Sequence, residues 1–320
     1  MDSKTFERNV TLGFKLLAGH YQGAITKDAI ADLPRKSERR IPWGTLEFET
    51  AVNEVGVELG ATDVFRYWRS WNLSLIEATS DAVAINFVLL VAHDWLRKGR
   101  PRRGSGQHDA FVKNAVTLLD RSIFEYVSGL WGGSGDSRIA SNMEAAKSSP
   151  ANWPAVTEER WQALLEEVID RGELRGQAYT GKLDPRVVLL HYYRQVVLLR
   201  QGPNSPKNRV HADHIIPRKL FESEGDTQVR QNMNHITNIA LLPADENVEK
   251  SGKRLVEIQS PWIMDQVAKF SDIHVTDFVA YSNTANSAAL RAHRGPILKA
   301  DLTQRRAALV ADPLAPHKKQ

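Results

Sequence analysis

At 320 residues, 42% hydrophobic and 25% charged, the chain has the proportions of a folded protein with room for two domains, or for one large domain carrying a smaller module. Lys and Arg number 42 against 38 Asp and Glu, and a pI of about 9.2 is compatible with a polyanionic partner without demanding one. The absence of cysteine excludes a disulfide scaffold and fits a reducing compartment. The opening MDSKTFERNV has no apolar signal-peptide core. The longest apolar run, 82–92, contains Asn86 and is too short to span a bilayer, so a soluble cytoplasmic protein with no membrane partner is expected.

Residues 1–203 read as a helical domain that positions DNA or a partner. Phe6, Val10, Phe14 and Leu17 recur at helical spacing, and Ile25 to Leu33 predicts a shorter helix. The segment PRKSERRIPWG, Pro34 to Gly44, is a proline-punctuated basic connector; Arg35 to Arg40 suit either a solvated loop or a phosphate backbone. Long helical patterns follow over Thr45 to Leu59 and Val64 to Leu96. Phe65, Trp68 and Trp71 form an aromatic stripe whose spacing suits core packing, with stacking on unpaired bases as the alternative. The run RKGRPRRGSGQ, Arg97 to Gln107, is the densest positive cluster. Its Arg97, Lys98, Arg100, Arg102 and Arg103 suit phosphate contact or a solvated loop.

Ala110 to Leu130 predicts another amphipathic helix. The glycine-rich GLWGGSGDSR that follows lacks the Lys-Ser/Thr ending of a P-loop and reads as a flexible connection. Thr157 is a good N-cap for a helix through about Asp170, with Glu158 and Glu159 in its first turn. Pro185 stands at the first turn of a helix running through Val188 to Leu199. Gln201 to Asn208 is a polar Gly/Pro linker, which sets a module boundary at 203/204. Near the end, Trp262 to Phe270, Val275 to about Leu290 and Leu302 to Val310 predict helices, so that 259–320 packs on the rest and frays at its last residues.

Residues 204–258 carry the greatest density of groups able to hold a metal or move a proton, in HADHIIPRKLFESEGDTQVRQNMNHITNIALLPADENVEKSGK. Val210 to Ile216 has the β-branched content of a short strand, which Pro217 ends for want of a backbone donor. His214 then sits at the strand's end. After a polar loop, Ile236 to Leu242 predicts a second strand closed by Pro243. Asp245 is the expected N-cap of a helix over Glu246 to Leu255, whose length Ser251 and Gly252 leave open. The unit reads strand, loop, strand, helix, with Asn247 in the first helical turn facing the hairpin.

The order Asp213-His214-Ile215-Ile216-Pro217, then Asn238, then Asn247 resembles the HNH nuclease motif, whose fold is the ββα-metal finger. With Asp before the His and Asn in the third place, it is similar to the HNH domains of RNA-guided CRISPR effector nucleases and of GmrSD-type modification-dependent restriction enzymes. Helices on both sides of the module favour the second comparison. The resemblance covers roughly 208–258. It implies that His214 is the general base, an imidazole with an ordinary pKa of about 6.5 being able to accept a proton near neutrality. It implies that Asp213 and Asn247 are hard oxygen ligands for Mg²⁺ or Mn²⁺. Asn238 would be the structural asparagine that braces the loop and keeps the imidazole aimed. Arg218, Lys250 and Lys253 join the candidates for phosphate contact. One departure is plain: GmrSD-type enzymes usually carry a nucleotide-hydrolysing domain marked by DGQQR, and that string does not occur here. The chain is then expected to be the nuclease half, or a piece of a longer protein, with nucleotide hydrolysis supplied by a domain or subunit outside it.

A zinc site is the chemical alternative, since His211, Asp213, His214 and His235 offer nitrogen and oxygen ligands. His211 and Asp213 alternate onto one strand face while His214 points to the other, and such a site leaves Asn238 and Asn247 without a task. The expected fold is mainly α with a small ββα-metal (HNH) module, α+β in class. The expected function is a metal-dependent DNA endonuclease or nickase in restriction or anti-phage defence, acting on foreign or modified double-stranded DNA. The contrasting class is a non-catalytic helical module that binds nucleic acid or protein, with the ββα unit as scaffold.

Overall fold

The computed structural model describes residues 3–37, 49–50, 53, 55–65, 79–132, 135–148, 153–170, 185–200 and 210–312. They are mainly helical, with a single two-stranded antiparallel sheet among them. The described residues form two compact units that part between Val156 and Thr157. The expected boundary at 203/204 therefore falls inside the second unit, and the strand-bearing segment shares that unit with helices from both sides of it in sequence.

In the first unit, α1 (Ser3–Gln22) is followed by two short helices, α2 (Lys27–Ala31) and α3 (Leu33–Ser37). Thr26 starts α2 by accepting a hydrogen bond from Ala29 N through its side chain. The unit continues with α4 (Asp81–Arg97), α5 (Gly106–Val127) and α6 (Asp136–Ser148). Helix α4 buries Val83, Phe87, Leu90, Val91 and Trp95, as a helix apolar on most sides must. Ser80 and Ser105 cap α4 and α5 through side-chain oxygens. Only Val55–Leu59 of the helix expected over 45–59 is described as an element, and it is a π-helical turn. Trp68 and Trp71 lie outside the described residues.

The second unit opens with α7 (Glu158–Asp170), where the Thr157 hydroxyl accepts from Arg160 N at 3.4 Å, and α8 (Val187–Arg200). Then come β1 (Val210–His214), α9 (Arg218–Glu222), α10 (Thr227–Gln231), β2 (Ile239–Pro243) and α11 (Ala244–Lys250). The strands pair antiparallel with Val210 opposite Pro243, His211 opposite Leu242, Asp213 opposite Ala240 and His214 opposite Ile239. Each strand is shorter than its sequence pattern. At 236–238 the chain makes a 3₁₀ turn instead, because His235 caps it by accepting from Thr237 N at 3.2 Å. Helix α11 begins at Ala244 with Pro243 in the N-cap position, so Asp245 lies inside the first turn. It ends early because Ser251 adopts a left-handed conformation with φ of 41°.

Every residue of β2 is buried. Its Ala240 and Leu242 join Ile215, Ile216 and Phe221 with Ile263, Val267 and Phe270 of α12 (Pro261–Ser271) in one core. Each such side chain stabilises the unit by roughly 1.5–3 kcal/mol. The chain closes with α13 (Ser287–Ala311), which runs through Pro296. The helices expected over 275–290 and 302–310 left 291–301 unassigned, and a proline inside a helix removes a hydrogen bond at a cost of about 3 kcal/mol. Burial of Leu290, Arg294, Leu298, Leu302 and Leu309 along the helix offsets that loss. Val275–Asp277 and Thr284–Asn286 are 3₁₀ turns rather than parts of a long helix.

Candidate metal-nuclease site

Strand alternation puts His211 and Asp213 of β1 on one face, and α11 meets them there. Asn247 and Lys250, three residues apart, share a face of that helix. The Asn247 Nδ2 atom lies 3.3 Å from His211 Nδ1, and Lys250 Nζ lies 2.5 Å from Asp213 Oδ2. Lys250 also donates to the His214 carbonyl at 2.9 Å. Its side chain is only 1% exposed, which corrects the expectation of a phosphate-contacting surface lysine: the ammonium is turned inward to a carboxylate. Lys253, the other lysine expected at a phosphate, is exposed. Arg218 is also exposed, and its Nε pairs with Glu222 Oε1 at 2.8 Å.

His214 stands where β1 ends, and its Nε2 lies 3.1 Å from Asn234 Oδ1. A carboxamide oxygen only accepts, so this contact places the ring proton on Nε2 and the lone pair on Nδ1. Burial pushes the imidazole below its ordinary pKa of 6.5, against the opposing pull of the Asn234 bond and the Asp213 carboxylate. The ring is therefore neutral at pH 7.

Asn238 is 2% exposed and spends its side chain on backbone. Its Oδ1 accepts from Ile216 N at 2.9 Å, and its Nδ2 donates to Ile216 O at 3.2 Å and to Met233 O at 2.8 Å. The segment just after His214 is thus tied to the segment just before β2. From the other side, the fully buried Arg294 of α13 donates through Nη1 to Thr237 O and to Ile239 O, the latter at 2.9 Å. This satisfies carbonyls on the edge of β2 that β1 does not reach. Its Nη2 meets Asp272 Oδ2 at 3.2 Å, and Asp272 also pairs with Arg194 of α8.

Asp213 and Asn247 supply a carboxylate and a carboxamide on facing elements, a donor set that fits a hard divalent cation. Lys250 is the positive charge that now faces Asp213. The four proposed zinc ligands do not assemble. His214 faces Asn234, His235 turns Nδ1 toward the Thr237 hydroxyl at 2.7 Å, and among the described residues no three His, Cys, Asp or Glu side chains converge as a metal site.

Near the site, Asn234 and His191 had no expected role, and Lys250 was expected at a phosphate. Asn234 lies in the polar loop, where several neighbours are equally good hydrogen-bonding residues and none signals its partner. Lys250 was read as a surface cation because helix-end lysines usually are. His191 of α8 is 4% exposed with no partner for either ring nitrogen. Burial, and then the charge of His211, push it down to about 4. Its setting among Val187, Val188, Leu189, Leu190, Tyr192 and Tyr193 reads as core, and the only sequence signal is a histidine inside an apolar helix.

The basic loop lies in the first unit, and its charges have local partners. Lys98 pairs with Asp94 at 2.6 Å, Arg102 with Glu58 at 3.6 Å and Arg103 with Asp63 at 3.2 Å. Arg97 donates to Ala146 O at 3.3 Å, and the Arg100 guanidinium lies 5.9 Å from the Trp95 ring centre. Among the described residues no helix is long and apolar enough to cross a membrane. No family model, curated protein or solved structure matches the chain.

Proposed function

We propose that β1, β2 and α11 form the catalytic centre of an HNH-type, metal-dependent DNA endonuclease. The reaction is hydrolysis of a phosphodiester bond, in restriction or anti-phage defence, on foreign or modified duplex DNA. The observation that carries this reading is a neutral imidazole at His214, oriented by Asn234, next in the chain to a carboxylate that faces the helix bearing Asn247.

The residues divide the work by chemistry. The lone pair on His214 Nδ1 takes the proton of the attacking water, while Asn234 holds Nε2 and fixes the tautomer. Asp213 and Asn247 would hold Mg²⁺ or Mn²⁺, which when bound offsets charge on the phosphoryl and departing oxygens. Asn238 holds the two ends of the intervening loop in register, so that the imidazole and the carboxylate keep their relation. One such centre cuts one strand; a double-strand break takes a second protomer or a second encounter.

Nicking of supercoiled plasmid with Mg²⁺, Mn²⁺ or Zn²⁺, and with EDTA, tests the proposal. Cleavage is expected with Mg²⁺ or Mn²⁺ and not with EDTA, and His214→Ala is expected to slow it by about 10²–10⁴, the usual worth of a general base. Cleavage that survives both EDTA and His214→Ala overturns it. A second reading is favoured by one feature: the Lys250–Asp213 and Asn247–His211 contacts already satisfy one another. The ββα unit is then a scaffold in a binding protein, and DNA is retained without being cut under any metal.

A further inference from the structure

We infer that the Lys250 ammonium and the divalent cation are alternative occupants of the space beside Asp213, so that loading the metal expels the lysine. This deepens the nuclease reading and rests on it.

A lysine with 1% exposure is rare, because an ammonium removed from water needs a compensating charge and acceptors. Lys250 has both, in Asp213 Oδ2 at 2.5 Å and the His214 carbonyl at 2.9 Å. Those are an anionic and a neutral oxygen on consecutive residues of β1, the kind of hard donors a divalent cation seeks. Asn247, one helical turn before Lys250 on the same face, stands over the same strand face, with its Nδ2 3.3 Å from His211 Nδ1. The charges favour exchange over coexistence, since an ammonium and a dication drawn to one half-buried carboxylate repel each other where screening is weakest. The side chain also has a way out. Lys250 is the last residue of α11, Ser251 and Lys253 just beyond it are exposed, and a four-carbon stem reorients by its own torsions while the helix stays in place. In the metal-free protein the lysine keeps Asp213 neutralised and holds α11 against β1. The same contact makes it a competitor for the ion.

Two measurements on the full-length protein test this without reference to cleavage. Calorimetric titration with Mn²⁺ is expected to show Lys250→Met binding the ion at least tenfold more tightly than wild type, with Asp213→Asn binding much more weakly than either. Acetylation of wild-type Lys250, followed by mass spectrometry, is expected to be slow in EDTA and at least tenfold faster in saturating Mn²⁺, while Lys253 is labelled at one rate in both. If Lys250→Met does not fold, the labelling decides. Equal Mn²⁺ affinity in wild type and Lys250→Met, or Mn²⁺ binding that leaves labelling of Lys250 unchanged, overturns the inference and leaves the nuclease reading standing. No Mn²⁺ binding by wild type or Lys250→Met removes both.

Discussion

At the scale of single residues, the proposed base, His214, is the group whose protonation is most exposed to test. Burial outweighs the Asn234 hydrogen bond and the Asp213 charge, so His214 loses its proton below pH 6.5. A reaction that needs the neutral ring is then at full rate at pH 7 and falls only as pH drops through that lowered value. Asn234→Ala removes an interaction that raises the pKa and also frees the ring. The acid limb of the pH–rate profile should move further down, and the plateau kcat should fall about tenfold with KM little changed, a loss of roughly 1.4 kcal/mol in the transition state alone. His191 gives a stability prediction of the same kind. It titrates near 4 in the fold and 6.5 when unfolded, so between those values the unfolded chain binds the extra proton, and stability is lost as pH falls. The loss from this one ring approaches about 3 kcal/mol, at roughly 1.36 kcal/mol per pKa unit. Urea denaturation of His191→Leu from pH 7 to pH 4 should show a shallower decline by that amount. The residual slope belongs in part to His235, pushed down to about 3 by burial and by Arg291. That Asp213 and His214 end a strand and that Asn247 stands in the helix after the second strand was legible, because local patterns of β-branched residues, prolines and helix formers carry both. Asn234 and the inward turn of Lys250 were not, because each is defined by a partner at least twenty positions away that packing alone selects, and His191 was not, because its burial is itself a product of packing.

Among elements, the loop between β1 and β2 is held by side chains rather than by regular structure. Asn238 ties its two ends together, and Arg294 reaches the outer carbonyls of the 3₁₀ turn and β2 from α13. Asp272 neutralises both Arg294 and Arg194. Burial pushes its carboxyl up, but the two guanidiniums prevail and hold it below the ordinary carboxylate value. Asp272→Asn leaves the buried Arg294 without its anion and Arg194 with only Asp301 at 3.9 Å, and breaking such a pair costs about 3–5 kcal/mol. Chemical denaturation should show a loss of that order. A loss under about 1 kcal/mol, the value of a surface pair, would mean that the triad is not a structural brace. The strands were legible from their β-branched runs and bounding prolines, and α12 from its spacing. The uninterrupted α13 was not, because Pro296 is a local signal for a break and the forces that override it come from residues packed along the whole helix.

For the whole molecule, the polar Gly/Pro stretch at 201–208 suggested a boundary, yet composition in a linker says nothing of what packs on either side of it. Helices α7 and α8 make their contacts with α13 and β2. Trp161 of α7 meets Tyr193 of α8 edge to face at 5.7 Å, and Arg306 of α13 pairs with Glu158 at 2.9 Å. These helices therefore belong with the strand-bearing unit, and the chain divides at 156/157. Two units with separate cores need not melt together. Scanning calorimetry of the full-length protein should resolve two transitions, with Asp272→Asn lowering one and leaving the other in place. If Asp213 and Asn247 hold the ion as proposed, they do so in the unit that Asp272 braces, and saturating Mn²⁺ should raise that same transition, by the mass-action stabilisation any ligand of the folded state provides, about 2.7 kcal/mol at a hundred times Kd. A single transition that both Asp272→Asn and Mn²⁺ move would show the units to be one cooperative body. Movement of opposite transitions by the two would place the ion away from β1 and α11.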